Sequence, residues 1–513
     1  MFKFKLNKYW LSFVIVCILI LKLALILRLV NLTLLPVFAD EAIYIRWSQV
    51  MATEPTLRFL PLSDGKQPLF MWILMFVVSR ISDPLFAGRL ISVLSGTGTL
   101  TGIGVLSFLL FKSKKASVLA MLIWAITPFA LFFDRMALVD SLLAFFAVWS
   151  AIFTFLTAKT ARLDFAMITG FFLGGGLLTK SPALFFVILI PISFMFATIG
   201  KNRAYSLLKL AGLFLVSLVI GYGMYNILRL GPNFHLIASR NLDYVHPITH
   251  LFQRPLDPLL PFLDRVKEWI WILGPASIYL LSILSVVLSV KKFPKQVLFL
   301  IAWMVIPIVI NAEFAKVFTA RYIFYTIPFL VILAASGFAK VKFSKILLGA
   351  LVIFVVQSLW QDYFLLTSPA KAYLPQSERS GYLSEWSAGQ GIKEISQYLK
   401  NLHNQNPNQQ VVVGTEGYFG TLPDGLQIYM QGVENVVIVG VGVNIENLPT
   451  PLLESKRAGN RTFLVINKSR LIGDPKQLGL QLISEYPKEP RLEATHEYVR
   501  FGPQEVLYFF EVK

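Results

Sequence analysis

Two adjacent carboxylates, Asp40 and Glu41, follow the first long apolar run of this 513-residue chain, and a third acid, Asp140, lies far downstream beside Arg135. A paired acid at a membrane face can take a proton from an attacking group or share a divalent cation. The plain alternative is a pair of solvated loop acids, which cost little when wet. What decides between the two readings is whether the chain brings these acids, and cations to match them, to one surface.

Composition says what must position them. The chain is 56% hydrophobic and 15% charged, with 43 Phe and 10 Trp. No soluble core needs so much apolar material, so the sequence reads as a polytopic α-helical membrane protein. The formal charge of +18 suits basic loops that orient such a protein, rather than a nucleic-acid partner. Cys17 is the one cysteine, which excludes intrachain disulfides and a cysteine metal cage. The basic start, Met-Phe-Lys-Phe-Lys-Leu-Asn-Lys, is like that of a signal peptide. The apolar run behind it is too long and has no evident cleavage site, so it reads as a retained anchor.

Apolar segments lie at about 10–30, 86–110, 117–133, 140–157, 165–178, 181–199, 206–228, 268–290, 296–312, 322–339 and 345–361, about eleven spans. Residues 69–79 are too short to cross, since eleven helical residues rise only ~16 Å. With that stretch kept in the interface, the basic clusters Lys3/Lys5/Lys8, Lys112/Lys114/Lys115, Lys159/Arg162, Lys201/Arg203, Lys291/Lys292/Lys295 and Lys340/Lys342/Lys345 share a side. The positive-inside rule then predicts a cytoplasmic N-terminus and an extracytoplasmic C-terminus in the cytoplasmic membrane. Loops 32–85, 134–140 and 229–267 face outward. On this count Asp40, Glu41, Lys66, Arg135 and Asp140 can meet at one surface.

The division predicted is a membrane domain over residues 1–361 and an extracytoplasmic domain over 362–513. In the latter, β-rich runs begin at Gln410, Asn435, Thr462 and Val506, and a helical pattern runs from Gly391. Strand alternating with helix predicts a soluble α/β domain. Gly440-Val-Gly-Val-Asn lacks the third glycine of a nucleotide fingerprint.

The sequence holds, in order, Asp40-Glu41-Ala-x-Tyr44, Asp64-Gly-Lys66-Gln-Pro68, Ala87-Gly88-Arg89, Asp134-Arg135-x4-Asp140, Leu178-Thr179-Lys180-Ser-Pro182 and Lys316-x4-Arg321-Tyr322. Over roughly residues 10–340 this ordered set resembles the polytopic GT-C glycosyltransferases: protein O-mannosyltransferases, lipid A aminoarabinose transferases and bacterial RgtA/B/C/D-like enzymes. The resemblance implies a glycosyltransferase that moves a sugar from a polyprenyl-phosphate donor to an acceptor hydroxyl, on protein, lipid or polysaccharide, outside the membrane. It implies Asp40 as general base, with Glu41 and Asp140 orienting it or joining it around a divalent metal cation. Lys66, Arg135, Lys180 and Arg321 would steady the leaving phosphate. The C-terminal domain carries no role from the family.

Each residue has a plainer reading. Lys66 and the Arg321-Tyr322 pair suit an interfacial belt, Lys180 can snorkel, Asp140 can cap a helix start, and Arg89 can begin one. His246 and His250 lack the glutamate of a metalloprotease pattern. Gly96, Gly98 and Gly102, like Gly170 and Gly174, suit close helix packing. Lys22, deep in the first span, favours a transporter or lipid flippase as the alternative function.

Overall fold

A computed structural model describes residues 8–198, 200–339, 344–493 and 495–513. Lys3, Lys5, Lys340 and Lys342, used above to set the topology, lie outside the described residues. In chain order the first helices are α1 (Lys8–Leu29), α2 (Ala39–Thr53), α3 (Leu69–Leu74), α4 (Pro84–Phe111), α5 (Lys114–Ile126), α6 (Pro128–Phe133), α7 (Val139–Thr160), α8 (Leu163–Thr179) and α9 (Leu184–Ile188). They are followed by α10 (Arg203–Tyr225), α11 (Leu236–Tyr244), α12 (His250–Gln253), α13 (Leu259–Leu273), α14 (Ser277–Ser289), α15 (Pro294–Phe314), α16 (Ile327–Ser336) and α17 (Lys345–Thr367). The apolar segments named above fall mainly on helix, though 181–196 is a series of short 3-10 and α turns. Among the described residues seven helices are long and apolar enough to cross a membrane, and an eighth span results if α13 and α14 count as one. Helix α3 has six residues, too few to cross.

The stretch 268–290, expected as one span, is two helices bent by 99°. The break falls at Gly274-Pro275, where proline removes a backbone donor and crowds the preceding turn.

The chain forms two compact units. The first comprises residues 1–31, 58–70 and 89–375. Its centre is apolar and aromatic: Trp124, Phe129 and Phe133 all lie against Phe324, with ring centroids 5.5, 5.9 and 5.5 Å away. Small residues set how closely its helices approach. A Cβ on Gly170 of α8 would crowd Ile220 of α10, and one on Gly96 of α4 would overlap the Asp134 carboxylate.

The second unit comprises residues 32–57, 71–88 and 376–513. Beyond the short helix α18 (Gln376–Arg379) and α19 (Ile392–Gln405), it contains a five-stranded sheet: β1 (Val411–Glu416), β2 (Val436–Gly442), β3 (Arg461–Asn467), β4 (Leu480–Pro487) and β5 (Val506–Val512). The strand order is β2-β1-β3-β5-β4, parallel across β1, β2 and β3 and antiparallel at β5 and β4. Helices α20 (Asp424–Tyr429), α21 (Thr450–Arg457) and α22 (His496–Phe501) connect the strands, and Leu452, Leu464, Ile466 and Phe510 are packed in its core. Helix α2 belongs here: the Ala39 N–H donates to Ser387 O (3.2 Å), Arg46 donates to Gln427 and Gln431, and Gln49 Nε2 donates to Ile428 O.

Candidate active site

Asp40 and Glu41 form the first turn of α2, in the second unit. Acids suit that end, where the helix exposes unpaired N–H groups and a positive dipole. Glu41 is fully buried and its Oε2 accepts from the Phe38 N–H at 3.0 Å. Asp40 is half-buried. Glu41 thus fixes the start of the helix that carries Asp40.

The other candidates lie in the first unit. Asp140 begins α7 and Lys180 ends α8, and their side chains meet at 2.7 Å with the carboxylate 3% exposed. The Lys180 ammonium stands 4.3 Å from the Tyr322 ring centre, and the Arg321 guanidinium stands 5.5 Å from the same ring. Tyr322 therefore offers its face to two cations. Lys66 pairs with Asp64 at 3.3 Å, and Arg240 of α11 reaches the same carboxylate at 3.5 Å. Partial burial works to lower the Arg240 guanidinium pKa, but Asp64, Tyr244 and Asp243 outweigh it and raise it on balance.

Hydrogen bonds join these segments. Gln67 Nε2 donates to Ser181 Oγ at 2.8 Å, and Ser181 Oγ donates to Asn241 Oδ1 at 3.2 Å. Each of these three polar residues directly follows a cation: Lys66, Lys180 and Arg240. The polar chain lies at a cavity of about 420 Å³ whose remaining walls are apolar or aromatic, among them Leu173, Leu177, Leu218, Tyr222 and Tyr225 of α8 and α10. The arrangement can hold an anion beside an apolar chain.

Arg135 is engaged differently. Its guanidinium donates to the carbonyls of Leu27, Arg28, Val30 and Asn31, at 2.6–3.1 Å, and so caps the C-terminal end of α1. Beside it Arg28 pairs with Asp134 at 2.9 Å, both side chains fully buried. Asp362 of α17 is 2% exposed, neither of its oxygens has a hydrogen-bond partner among the described residues, and its neighbouring charges are Arg28 and Arg135. Arg89 is also buried. Lys22 is exposed on α1.

Sequence reasoning did not select Gln67, Ser181, Arg240 or Asn241. The dipeptide pattern of a cation followed by a polar residue was the available signal, but it is too common to stand without tertiary contacts. Among the described residues no group of three His, Cys, Asp or Glu side chains is assembled to hold a metal.

The second unit has its own charged cluster. Arg491 donates to both Glu385 and Glu505, Lys488 donates to Glu385 O, and Glu416 accepts from Asn467 and pairs with Arg470. Burial pushes the Lys488 ammonium down to about 8, against the opposing pull of Glu416, Glu505 and Glu385.

Residues 65–222 match the family model for dolichyl-phosphate-mannose-protein mannosyltransferases. No curated protein sequence matches. In fold, the chain is similar to ArnT from Cupriavidus metallidurans in its apo state (TM-score 0.58, 14% identity, 96% of this chain and 97% of that one). The same protein bound to undecaprenyl phosphate gives a TM-score of 0.52 at 14% identity, again over 96% and 97%. The oligosaccharyltransferase AglB from Archaeoglobus fulgidus, in complex with an inhibitory peptide and a dolichol-phosphate, gives 0.49 at 12% identity over 90% and 70%. Along its length the chain thus shares the fold of ArnT, an assembly of membrane-length helices with a C-terminal α/β domain, and over residues 65–222 its sequence matches the mannosyltransferase family model.

Proposed function

We propose that this protein transfers a sugar from a polyprenyl-phosphate donor to an acceptor hydroxyl at the extracytoplasmic face, with inversion at the anomeric carbon. One observation carries the reading: Lys66, Lys180 and Arg240 each precede a member of the Gln67–Ser181–Asn241 chain at the cavity between α8 and α10. A polyprenyl phosphate has the matching parts, an anionic head and a long apolar tail. The undecaprenyl phosphate in the similar ArnT structure supports this choice of donor class.

In this reading Asp40 removes the proton of the acceptor hydroxyl as its oxygen attacks the anomeric carbon. The carbon–oxygen bond to phosphate breaks on the opposite side, and the lipid phosphate leaves with added negative charge. Lys66, Lys180 and Arg321 stabilise that charge. Asp140 holds Lys180 in place, and Glu41 positions Asp40 through the start of α2. Arg135, taken up by four carbonyls, positions α1 and does not meet the phosphate. The acceptor's chemical class, protein, lipid or polysaccharide, is read by other surfaces. The packing of residues 32–57 with 376–513 in one unit supports placing the acidic pair and the C-terminal domain on one side of the membrane.

The test is transfer from radiolabelled polyprenyl-phosphate sugars by the purified protein in nanodiscs. Asp40→Asn is expected to lower the rate by about 10²–10⁴-fold while donor binding persists. A folded variant that transfers normally removes Asp40 as base. Absence of transfer from any lipid-linked sugar, alongside solute uptake into proteoliposomes, reassigns the protein to transport. Glu41 and Asp140 already have protein partners, so chelation by EDTA is expected to leave the rate within about two-fold. Loss of activity restored by Mg²⁺ would instead place a cation on the carboxylates.

A further inference from the structure

At the other end of α7 lies a second hollow, of about 550 Å³, bordered by Lys112, Lys159, Lys292 and Lys295. Asp140 opens α7 and Lys159 lies in its last turn, so this hollow is about one membrane thickness, ~30 Å, from the candidate active site. Its lining contains no acidic residue, and among the described residues none of the four lysines has a carboxylate partner. Its floor is aromatic: Phe155 meets Phe196 at 4.9 Å and Phe111 meets Phe293 at 5.3 Å.

We propose that this lysine-lined hollow binds the phosphate headgroup of an anionic membrane lipid. Basic loops that orient the chain explain lysines at a membrane face, and helix dipoles explain Lys112 and Lys159, at the C-terminal ends of α4 and α7. The dipole does not explain Lys292 and Lys295. These flank the N-terminus of α15, which begins at Pro294, where the dipole repels cations. Lys295 donates to Met195 O at 2.8 Å. Among the described residues the ammoniums of Lys112, Lys159 and Lys292 lie over the rings of Phe108, Phe155 and Phe293, at 5.3–5.6 Å.

Lys112 adopts φ 52°, a left-handed conformation that side-chain-bearing residues rarely take. Its ammonium pKa is lowered by partial burial and then by Lys159, as expected of cations gathered without a counter-charge. A phosphate supplies the charge that the protein withholds. The phenyl and leucyl floor suits acyl chains, which favours a lipid over a soluble anion. The site is separate from the donor-phosphate cluster, so the proposal does not depend on the transfer reaction.

The experiment uses full-length protein and native mass spectrometry after mixing with phosphatidylglycerol or phosphatidylcholine. Lys159→Gln/Lys292→Gln is compared with Lys201→Gln/Arg203→Gln, which removes two charges from a different basic cluster. The pocket variant is expected to retain phosphatidylglycerol about 30-fold less well than the parent, and the control to change less than about three-fold. Equal losses in both variants overturn the site in favour of diffuse surface charge, and no loss in either overturns it outright. Millimolar inorganic phosphate is expected not to displace the lipid; displacement reassigns the hollow to a soluble phosphate and overturns the lipid assignment.

Discussion

The C-terminal unit and the membrane unit each gather acids and bases, but they enclose them to different degrees. Arg491 and Glu505 are 1% exposed and Lys488 is fully enclosed with them. At the candidate active site Lys180 is 21% exposed, Lys66 22% and Arg240 35%. A sealed ion network has given up its water, so removing one partner strands the rest at high cost. The Lys66–Asp64 and Arg240–Asp64 pairs keep much of their hydration and are worth little to stability, whereas Lys180 stays partly open above an Asp140 carboxylate that is 3% exposed. In the proposed reaction the partly open cations Lys66, Lys180 and Arg240 would exchange a protein carboxylate for a donor phosphate. The first cluster is built to hold shape and the second to change partners.

That contrast predicts how each region fails. Arg491→Met is expected to destabilise the C-terminal unit by about 3–5 kcal/mol, seen as early protease cleavage after residue 376. A variant as resistant as the parent would show that the sealed network adds nothing. Lys180→Met is expected to slow transfer about 10²-fold and, by stranding the buried Asp140 carboxylate, to cost about 1–3 kcal/mol of stability as well. A large loss of stability with unchanged transfer would make the Asp140–Lys180 pair structural, like its counterpart in the other unit.

The smallest effect tests a single buried acid. Burial pushes the Asp424 carboxyl from 3.8 up to about 6, against the Gly420 N–H and Arg46. The folded state therefore binds this proton more tightly than the unfolded one. Stability falls as pH rises from about 4 to about 6 and stays lower above that window. Asp424→Asn, neutral throughout, is expected to raise the melting temperature by a few degrees at pH 7.5 and to match the parent near pH 4. An equal shift at both values would exclude the charge as its cause.

Hydropathy was enough to place the long apolar helices, because apolar length reports directly on burial in a bilayer, but α2 and α11 lie in stretches read as outer loops. It misjudged 268–290, where hydropathy is continuous but Gly274-Pro275 breaks the helix. Four of the five strands were legible as β-rich runs. β4 was not: it is an edge strand with Gln481, Ser484 and Glu485 among its eight residues, and its pairing with β5 supplies what its composition lacks. In the site, residue types were readable but partners were not. Arg135 has the chemistry for a phosphate, and only the fold reveals that four carbonyls of α1's end occupy it. Asp362, far along the chain, has no local pattern that would have linked it to Arg28.

The Arg28–Asp134 pair also sets an order of events during synthesis. Helix α1 is made first and carries its arginine to the end of an apolar run, while the partner lies 106 residues later. Until that acid and Arg135 emerge, Arg28 has no counter-charge and the last carbonyls of α1 have no cap. The first helix can therefore enter the bilayer early, but it acquires its final seat only when the loop ahead of α7 arrives. Truncations that stop short of residue 134 should leave α1 inserted but unanchored, and a nascent chain just long enough to expose Arg135 should mark the point at which it locks.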